Sequence, residues 1–289
     1  MKKWFKKNKW MAYLMPSFLF PLSITIYGLI MAIKESMTDN TGFSLQAYRA
    51  LFYDHAFWAS YLYSVRISTI STVLSLIIGI LITRLLYQKL LKTEWKLLVW
   101  VPMIFPHFVW GYMVVLLLSQ TGFISSIFNH FEWIQDFSQF PILLYEPFGI
   151  GIIVTYVWKE IPFVVLMLLP VYAQMNQQMP LVVKTLGGNE WNVFKTTEWP
   201  WVAPVLFETG IIIFAFILSA YEVPALLGTT YPKMLSVLSY EWFFYADFRY
   251  RPKAFALMVV VTMTIMTFVL IFFHMVNQKR YRMMKGNGR

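Results

Sequence analysis

Cysteine is absent from this chain of 289 residues, and charged residues are scarce, at 13%. Without cysteine the chain forms no disulfide, no thiolate metal site and no cysteine nucleophile. A soluble domain carries about 25% charged residues, whereas 58% of this chain is hydrophobic. So much apolar surface does not fit inside one globule, and we expect much of it to face lipid.

Sequence motifs of the common catalytic sites are missing as well. The chain has no G-x-x-x-x-G-K-[ST] phosphate-binding loop, no H-E-x-x-H zinc motif and no G-x-S-x-G nucleophile turn. Its four histidines (His55, His107, His130 and His274) are scattered along the sequence, which argues against a metal cluster. We therefore predict no catalytic residue, no metal site and no cofactor bound by this chain itself.

Long hydrophobic runs are what the chain has instead. A helix needs about 20 apolar residues to cross the hydrocarbon core, and six segments qualify, at about 10–33, 61–86, 98–119, 147–172, 203–227 and 254–276. The runs do not alternate, which favours helices over barrel strands. We predict an all-α polytopic membrane protein with six transmembrane helices. Its single domain has a first span and external loop over 1–60, a five-helix core over 61–276 and a basic tail over 277–289.

The basic residues predict the orientation. The net charge is +10, but these residues flank the apolar runs, which argues against a nucleic-acid-binding face. With the N-terminus inside, the tails and inner loops hold 16 Lys and Arg residues and the outer loops hold six. An excess of positive charge marks the cytoplasmic side, so we predict that both termini are cytoplasmic.

Charges inside the spans are few, and burying them in lipid is costly. Lys159 and Glu160 lie near the middle of the fourth span, where they either line a polar passage or pair with another helix or a partner subunit. Adjacent helical side chains point about 100° apart, so the two cannot face the same partner. Arg66 and Arg84 lie near opposite ends of the second span, and we expect both to reach the interface by snorkelling. We expect His107 to be a hydrogen-bonded core histidine.

One predicted cytoplasmic loop, Pro180–Pro200, has a pattern of its own. Pro180 suits the first turn of a helix, Gly187–Gly188 would end that helix, and Asn189 would cap a second one. The apolar residues of the loop include Val182, Val183, Leu186, Trp191 and Phe194. Their spacing predicts apolar faces on two short helices.

This loop resembles the cytoplasmic E-A-A-x-x-x-G loop of type I ABC importer permeases, the MetI-like inner-membrane components of binding-protein-dependent transport systems. With Gly187 on the glycine of that pattern, Pro200 falls on its terminal proline, thirteen residues later. Val157–Phe163 resembles the W-x-x-x-P-F signature of the family, and Ser219–Gly228 is similar to a segment of permeases for polyamines, ferric iron and thiamine. The E-A-A positions here hold Leu181, Val182 and Val183, so the family glutamate is absent.

The resemblance implies a permease subunit that carries a small solute by alternating access, in the cytoplasmic membrane of a bacterium. It implies three protein partners besides the bilayer: a cytoplasmic ABC ATPase dimer, a second permease chain (sister or identical) and an extracytoplasmic solute-binding protein. ATP and Mg²⁺ would bind the ATPase, so this chain would not be an enzyme. The ATPase-coupling residues would be Val182, Val183, Leu186, Gly187, Gly188, Trp191, Phe194 and Pro200.

Candidate residues for the translocation passage are Trp158, Glu160, Tyr221 and Glu222. Acidic residues in the predicted external segments (Glu132, Asp136, Glu146 and Glu222) would suit a small cation such as a polyamine. Ferric iron, thiamine or another small solute is the alternative. From other classes, a membrane-embedded lipid-modifying enzyme would need clustered catalytic residues, and an ion-coupled secondary transporter would typically show an inverted repeat; the sequence shows neither.

Overall fold

The computed structural model describes residues 9–39, 42–176 and 178–286, most of which are helical. In chain order the α-helices are α1 (Lys9–Ser36), α2 (Gln46–Phe52), α3 (His55–Leu90), α4 (Thr93–Ile104), α5 (His107–Leu118), α6 (Phe123–His130), α7 (Ile150–Gln174), α8 (Met179–Thr185), α9 (Glu190–Val193), α10 (Trp199–Ser219), α11 (Glu222–Leu227), α12 (Leu235–Phe244) and α13 (Arg251–Gly286). The basic residues Lys2, Lys3, Lys6, Lys7 and Arg289, which contribute to the predicted orientation, lie outside the described residues.

Shorter elements complete the described chain. Phe137–Gln139 and Phe248–Tyr250 form 3-10 turns, and Phe194–Glu198 forms a π-helical turn between α9 and α10. Two strands of two residues each, β1 (Thr38–Asp39) and β2 (Gly42–Phe43), pair antiparallel with Thr38 opposite Phe43.

Six helical segments of the described residues are long and apolar enough to cross a membrane. They are Leu14–Ser36, His55–Leu90, His107–His130, Ile150–Gln174, Glu190–Ser219 and Phe248–Ile271. The predicted all-α fold with six transmembrane helices is confirmed.

The segment predicted as the third span, 98–119, is not a single helix, and the membrane-long segment of the structure begins only at His107. The predicted segment breaks at Phe105–Pro106, between α4 and α5. Proline has no N–H, so Pro106 cannot donate to the carbonyl of Pro102 four residues earlier, and Phe105 takes the extended conformation that proline favours in its predecessor. The carbonyl of Pro102 instead accepts hydrogen bonds from Lys159 Nζ at 2.7 Å and Trp110 Nε1 at 2.9 Å.

The segment predicted as the fifth span, 203–227, breaks in a similar way. Helix α10 already ends at Ser219, Ala220 is extended, and Pro224 lies inside the short helix α11. Pro224 cannot donate to the carbonyl of Ala220, which accepts the hydroxyl of Ser236 at 2.7 Å. Each break therefore follows from a proline. The backbone carbonyl that the proline leaves without a donor accepts a hydrogen bond from a side chain of another element.

Two compact units make up the chain, and the larger contains the described residues of Ala56–Leu238 and Thr264–Arg289. Helix α7 supplies much of its core, with Ile152, Tyr156, Val164, Leu168 and Tyr172 buried. The buried side of α3 carries small polar residues, namely Ser60, Ser64, Ser68, Ser71 and Ser75. A Cβ atom on Gly79 would lie 2.5 Å from Val164 Cγ1, so the glycine lets α3 and α7 approach closely, as is common between membrane helices.

The smaller unit contains the described residues of Met1–His55 and Ser239–Met263. Within it, Ser36 Oγ shares a hydrogen bond of 2.8 Å with the Tyr48 hydroxyl, and Lys253 forms an ion pair with Asp54. Apolar side chains of α1 such as Phe20 are exposed, as expected of a helix that faces lipid. The division predicted from the sequence, into a first part over 1–60, a core over 61–276 and a tail over 277–289, remains a prediction.

Candidate functional site

Helix α8 ends in a turn that explains the Gly187–Gly188 pair. Gly187 has a φ of +85°, in the left-handed region that favours glycine. Its N–H bonds the carbonyl of Lys184, and the N–H of Gly188 bonds that of Val183, both at 2.9 Å. This is the Schellman arrangement of a helix C-terminus. A Cβ on Gly188 would lie 2.6 Å from Val183 Cγ1, so the second glycine is needed for space.

The second half of the loop leads directly into the fifth span. The Asn189 side chain accepts the N–H of Asn192 at 2.9 Å and so caps α9. Helix α9 passes through the π-helical turn Phe194–Glu198 into α10 without an extended residue. The predicted pair of short helices, with its glycine end and its asparagine cap, is confirmed by this geometry. The backbone is therefore helical without interruption from α9 to α10.

Three of the predicted coupling residues expose large apolar side chains. Val182 is 53% exposed, Leu186 82% and Trp191 65%; we call these three residues the apolar patch. Val183 and Phe194 are half-buried, and the Phe194 ring stacks on that of Trp191 with centroids 5.6 Å apart. Gly187 and Pro200 are exposed and Gly188 is half-buried. A contact with an ATPase remains a prediction for all eight residues.

Behind the loop lies a buried carboxylate that the sequence analysis did not single out. Glu198 is only 8% exposed. Arg84 Nε lies 2.9 and 3.1 Å from its two carboxylate oxygens, and the Tyr172 hydroxyl donates to Oε2 at 3.0 Å. The Arg84 guanidinium also lies 5.3 Å from the centre of the Phe194 ring. We call Arg84, Tyr172 and Glu198 the latch.

Glu190 extends the ionic contacts of the latch to α8. One oxygen of Glu190 lies 2.6 Å from Lys184 Nζ and the other 3.5 Å from Arg84 Nη2. These contacts are exposed at Glu190, and exposed ion pairs contribute little to stability. They connect α8 and α9 to the last turns of α3.

Snorkelling to the membrane interface, predicted for Arg66 and Arg84, remains a prediction, but both head groups also bind acceptors of the protein. Arg84 is held by the latch, and Arg66 donates to the carbonyls of Pro147 at 2.6 Å and Phe148 at 3.3 Å. The head groups bind protein acceptors because arginine presents several donors in a fixed fork. One feature of the sequence could have indicated the latch. A basic residue in an apolar span needs a partner, and Glu190 and Glu198 are the only acidic residues of the loop Pro180–Pro200.

Lys159 and Glu160 are both buried and both paired within the chain. Lys159 Nζ donates to the carbonyls of Pro102 at 2.7 Å and Phe105 at 2.6 Å, at the end of α4. Glu160 Oε1 lies 3.2 Å from Nε2 of His107, the first residue of α5. The two side chains thus have different partners, as predicted. His107 has the predicted hydrogen-bond partner, although 26% of its side chain is exposed.

The other candidate passage residues are more exposed than Glu160. Trp158 is 56% exposed, with its ring 5.9 Å from that of Trp110, and it is two positions from Glu160, so the two point to opposite sides of α7. Tyr221 lies at the break between α10 and α11, and Glu222 begins α11; both are exposed. A role of these four residues in a passage remains a prediction. Within residues 9–39, 42–176 and 178–286, no three His, Asp or Glu side chains are grouped to hold a metal ion.

Comparison with known proteins finds relatives among ABC transporter permeases, although no family model matches the chain. It is 26% identical over 236 residues to the inner membrane ABC transporter permease protein YnjC of Escherichia coli, over 79% of this chain and 43% of YnjC. It is 24% identical over 188 residues to the probable sulfate transport system permease protein cysT of Chlorella vulgaris, over 63% of this chain and 67% of cysT. The chain thus spans less than half the length of YnjC.

Two solved structures share the fold. A bacterial ABC transporter for import of the acidic polysaccharide alginate matches with a TM-score of 0.76 at 20% identity, over 96% of this chain and 99% of that one. The alginate ABC transporter in complex with an alginate pentasaccharide-bound periplasmic protein matches with a TM-score of 0.77, also at 20% identity, over 96% of both chains. The chain is thus similar to ABC transporter permeases and shares the fold of the solved importer, and its six spans are those expected of a multi-pass protein of the inner membrane.

Proposed function

We propose that this chain is the transmembrane permease subunit of an ABC importer and passes a small solute by alternating access. The observation that carries the proposal is the exposed apolar patch on a helical loop that continues into the fifth span. The chain acts as a conduit and transducer and catalyses no reaction, while ATP and Mg²⁺ bind the partner ATPase. A second permease chain and an extracytoplasmic solute-binding protein complete the assembly.

The apolar patch suits docking in a groove of an ATPase. Val182 and Leu186 are four residues apart and share one face of α8. Burial of apolar surface contributes about 25 cal/mol per Å², and a short helix laid in an apolar groove is a common way to gain it. With no glutamate at the family position, docking rests on these apolar contacts.

Movement of the ATPase reaches the spans through the loop. Closure of the ATPase pair on ATP displaces α8 and α9, and the helical backbone from α9 to α10 carries the displacement into the fifth span. Rigid-body motion of this kind switches a central site between the two sides of the membrane. The solute-binding protein delivers its cargo to the outward-facing state.

A small cation such as a polyamine is our first candidate for the cargo. The candidate passage contains Glu160 and Glu222, while Lys159 is occupied by backbone carbonyls. On the predicted external side, hydrogen bonds from Ser138 lower the pKa of the Asp136 carboxyl, which keeps it charged. Ferric iron and thiamine are alternative small solutes to a polyamine.

An anionic cargo is the second candidate, and the relatives favour it. One is named as a probable sulfate permease, and another imports the acidic polysaccharide alginate. Equilibrium binding of a polyamine, sulfate and a uronate oligosaccharide to the associated external binding protein separates the candidates. Binding of the polyamine alone supports the first, and binding of either anion alone supports the second.

The coupling proposal is tested by replacing one residue of the apolar patch. We expect Leu186→Asp to lower the amount of ATPase that copurifies with the chain by about tenfold, because the introduced charge would have to be buried in the groove. The matched control is Phe43→Asp, since Phe43 is 79% exposed and lies in a predicted external segment. Equal capture of the ATPase by both variants would contradict docking through the patch.

A further inference from the structure

The latch joins three membrane helices to the loop at a single carboxylate. Glu198 is the last residue of the π-helical turn and immediately precedes α10. Arg84 comes from the last two turns of α3, and Tyr172 from the last turn of α7. The second, fourth and fifth spans are thus tied together at the end that carries the loop.

Three contacts fix the position of the Glu198 carboxylate. Arg84 Nε lies within 3.1 Å of both oxygens, and the Tyr172 hydroxyl adds a third contact at 3.0 Å. Because Glu198 is 8% exposed, water cannot replace these partners fully. Removal of one partner from a buried ion pair leaves an uncompensated charge, which is far more costly than the loss of an exposed pair.

The latch and the apolar patch divide the loop into two functional sides. The side chains that bind back to the bundle are polar or half-buried: Glu198 and Glu190 bind Arg84, which also covers the Phe194 ring. The large apolar side chains Val182, Leu186 and Trp191 are left exposed. The loop is thus attached to its own spans by charge, which leaves its apolar groups for a partner.

We infer that Glu198, Arg84 and Tyr172 are positioning residues that fix the loop against the second and fourth spans and transmit its displacement to them. Without the latch, the ATPase would still displace the loop, but this displacement would not reach α3 and α7. The π-helical turn fits this role, since such turns inside helices are frequent at functional sites. The transmission step depends on the proposed function, whereas the positioning step does not.

Positioning is tested on the purified chain alone. The chain has no cysteine, so Lys195→Cys and Lys89→Cys introduce the only two labelling sites, and spin labels on them report the distance from the loop to α3. We expect a narrow distance distribution in this background, a broad one after Arg84→Glu or Glu198→Arg, and a narrow one again when both changes are combined. Distributions that stay narrow in both single variants would falsify the positioning role.

Transmission is tested in the complex reconstituted in lipid vesicles. We expect Arg84→Glu and Glu198→Arg to keep the copurified ATPase and its basal hydrolysis, and to lower the solute moved per ATP by about tenfold, with recovery in the combined variant, because coupled pairs are non-additive. Where a charge reversal fails to insert, Tyr172→Phe removes one hydrogen bond without changing charge and should lower the same ratio by about threefold.

Different results would contradict the proposed function and the transmission role of the latch. If no ATPase copurifies with the unaltered chain, the proposed function is wrong, and the spin-label distances still decide whether the latch positions the loop. If the ATPase copurifies and the solute moved per ATP is unchanged in the single variants and in Tyr172→Phe, the proposed function stands and the transmission role is overturned.

Discussion

Lys159 and Glu160 are neighbours in α7 that bind opposite ends of the broken third span. Lys159 binds carbonyls at the C-terminal end of α4, and Glu160 contacts His107 at the N-terminal end of α5. A cation is favoured near a helix C-terminus and an anion near an N-terminus, because the peptide dipoles align along the axis. One dipeptide therefore complements both ends of the break.

Removal of the Lys159 ammonium should destabilise the chain. Lys159→Met keeps the length of the side chain but leaves the Phe105 carbonyl without this donor, which should lower the free energy of unfolding by about 2 kcal/mol. The control is Lys195→Met at an exposed position, expected to change it by less than about 0.5 kcal/mol. Thermal unfolding in detergent micelles measures both, and equal midpoints would contradict the capping role.

Glu160→Gln separates the charge of this side chain from its hydrogen bond. The amide can still bond His107, so we expect unfolding to stay within about 1 kcal/mol of the unaltered chain. If Glu160 acts in the passage, solute uptake into reconstituted vesicles should fall by about tenfold, because a buried charge that a permease retains commonly serves transport. Normal uptake by a well-expressed Glu160→Ala variant would rule out an essential role and leave the pairing as its function.

Gly187 should tolerate substitution poorly for a backbone reason alone. A Cβ atom there meets nothing within 4 Å, but the φ of +85° is strained for other residues. Gly187→Ala should cost about 1 kcal/mol, and Gly187→Asp should also uncouple ATP hydrolysis from transport while membrane insertion continues. The control is Gly28→Ala, where a Cβ also meets nothing within 4 Å and φ is ordinary. Binding-protein-stimulated ATP hydrolysis that is unchanged in Gly187→Asp would contradict the coupling role.

Gly79→Ala should destabilise the contact between α3 and α7 through overpacking. The added methyl group would lie 2.5 Å from Val164 Cγ1, and overpacking of this kind costs about 1–3 kcal/mol. Val164→Ala removes Cγ1 but keeps Cβ, which would lie 2.6 Å from the added methyl group, so the double variant should recover only part of the loss. Thermal unfolding of the two single variants and the double variant measures the coupling, and purely additive effects would show that the two residues do not share this contact.

Local patterns account for what the sequence predicted correctly. The six spans follow from runs of apolar residues, and the ends of α8 and α9 follow from Gly187, Asn189 and their immediate neighbours. In these cases the residues that decide the structure lie within one or two turns of each other. Short-range hydrogen bonding and backbone conformation are therefore sufficient to place them.

Contacts between distant residues account for what was missed. Arg84 and Glu198 are 114 positions apart, and Lys159 lies 57 positions from Pro102. The sequence does not show which of several acids an arginine binds, so the contact of Arg84 with Glu198 was not predicted. The break at Pro106 was missed because membrane helices tolerate proline when other groups satisfy the freed carbonyl, and one of those groups, Lys159, comes from another span.

The break in the third span also bears on how the protein is made. The carbonyl of Phe105 accepts a hydrogen bond from Lys159, which follows it by 54 positions, so α4 and α5 leave the ribosome before this donor. An unsatisfied carbonyl in hydrocarbon costs free energy. The hydrogen bonding at the junction is therefore complete only after the fourth span has inserted beside it. We therefore expect the junction of α4 and α5 to become stable only when the fourth span packs against it.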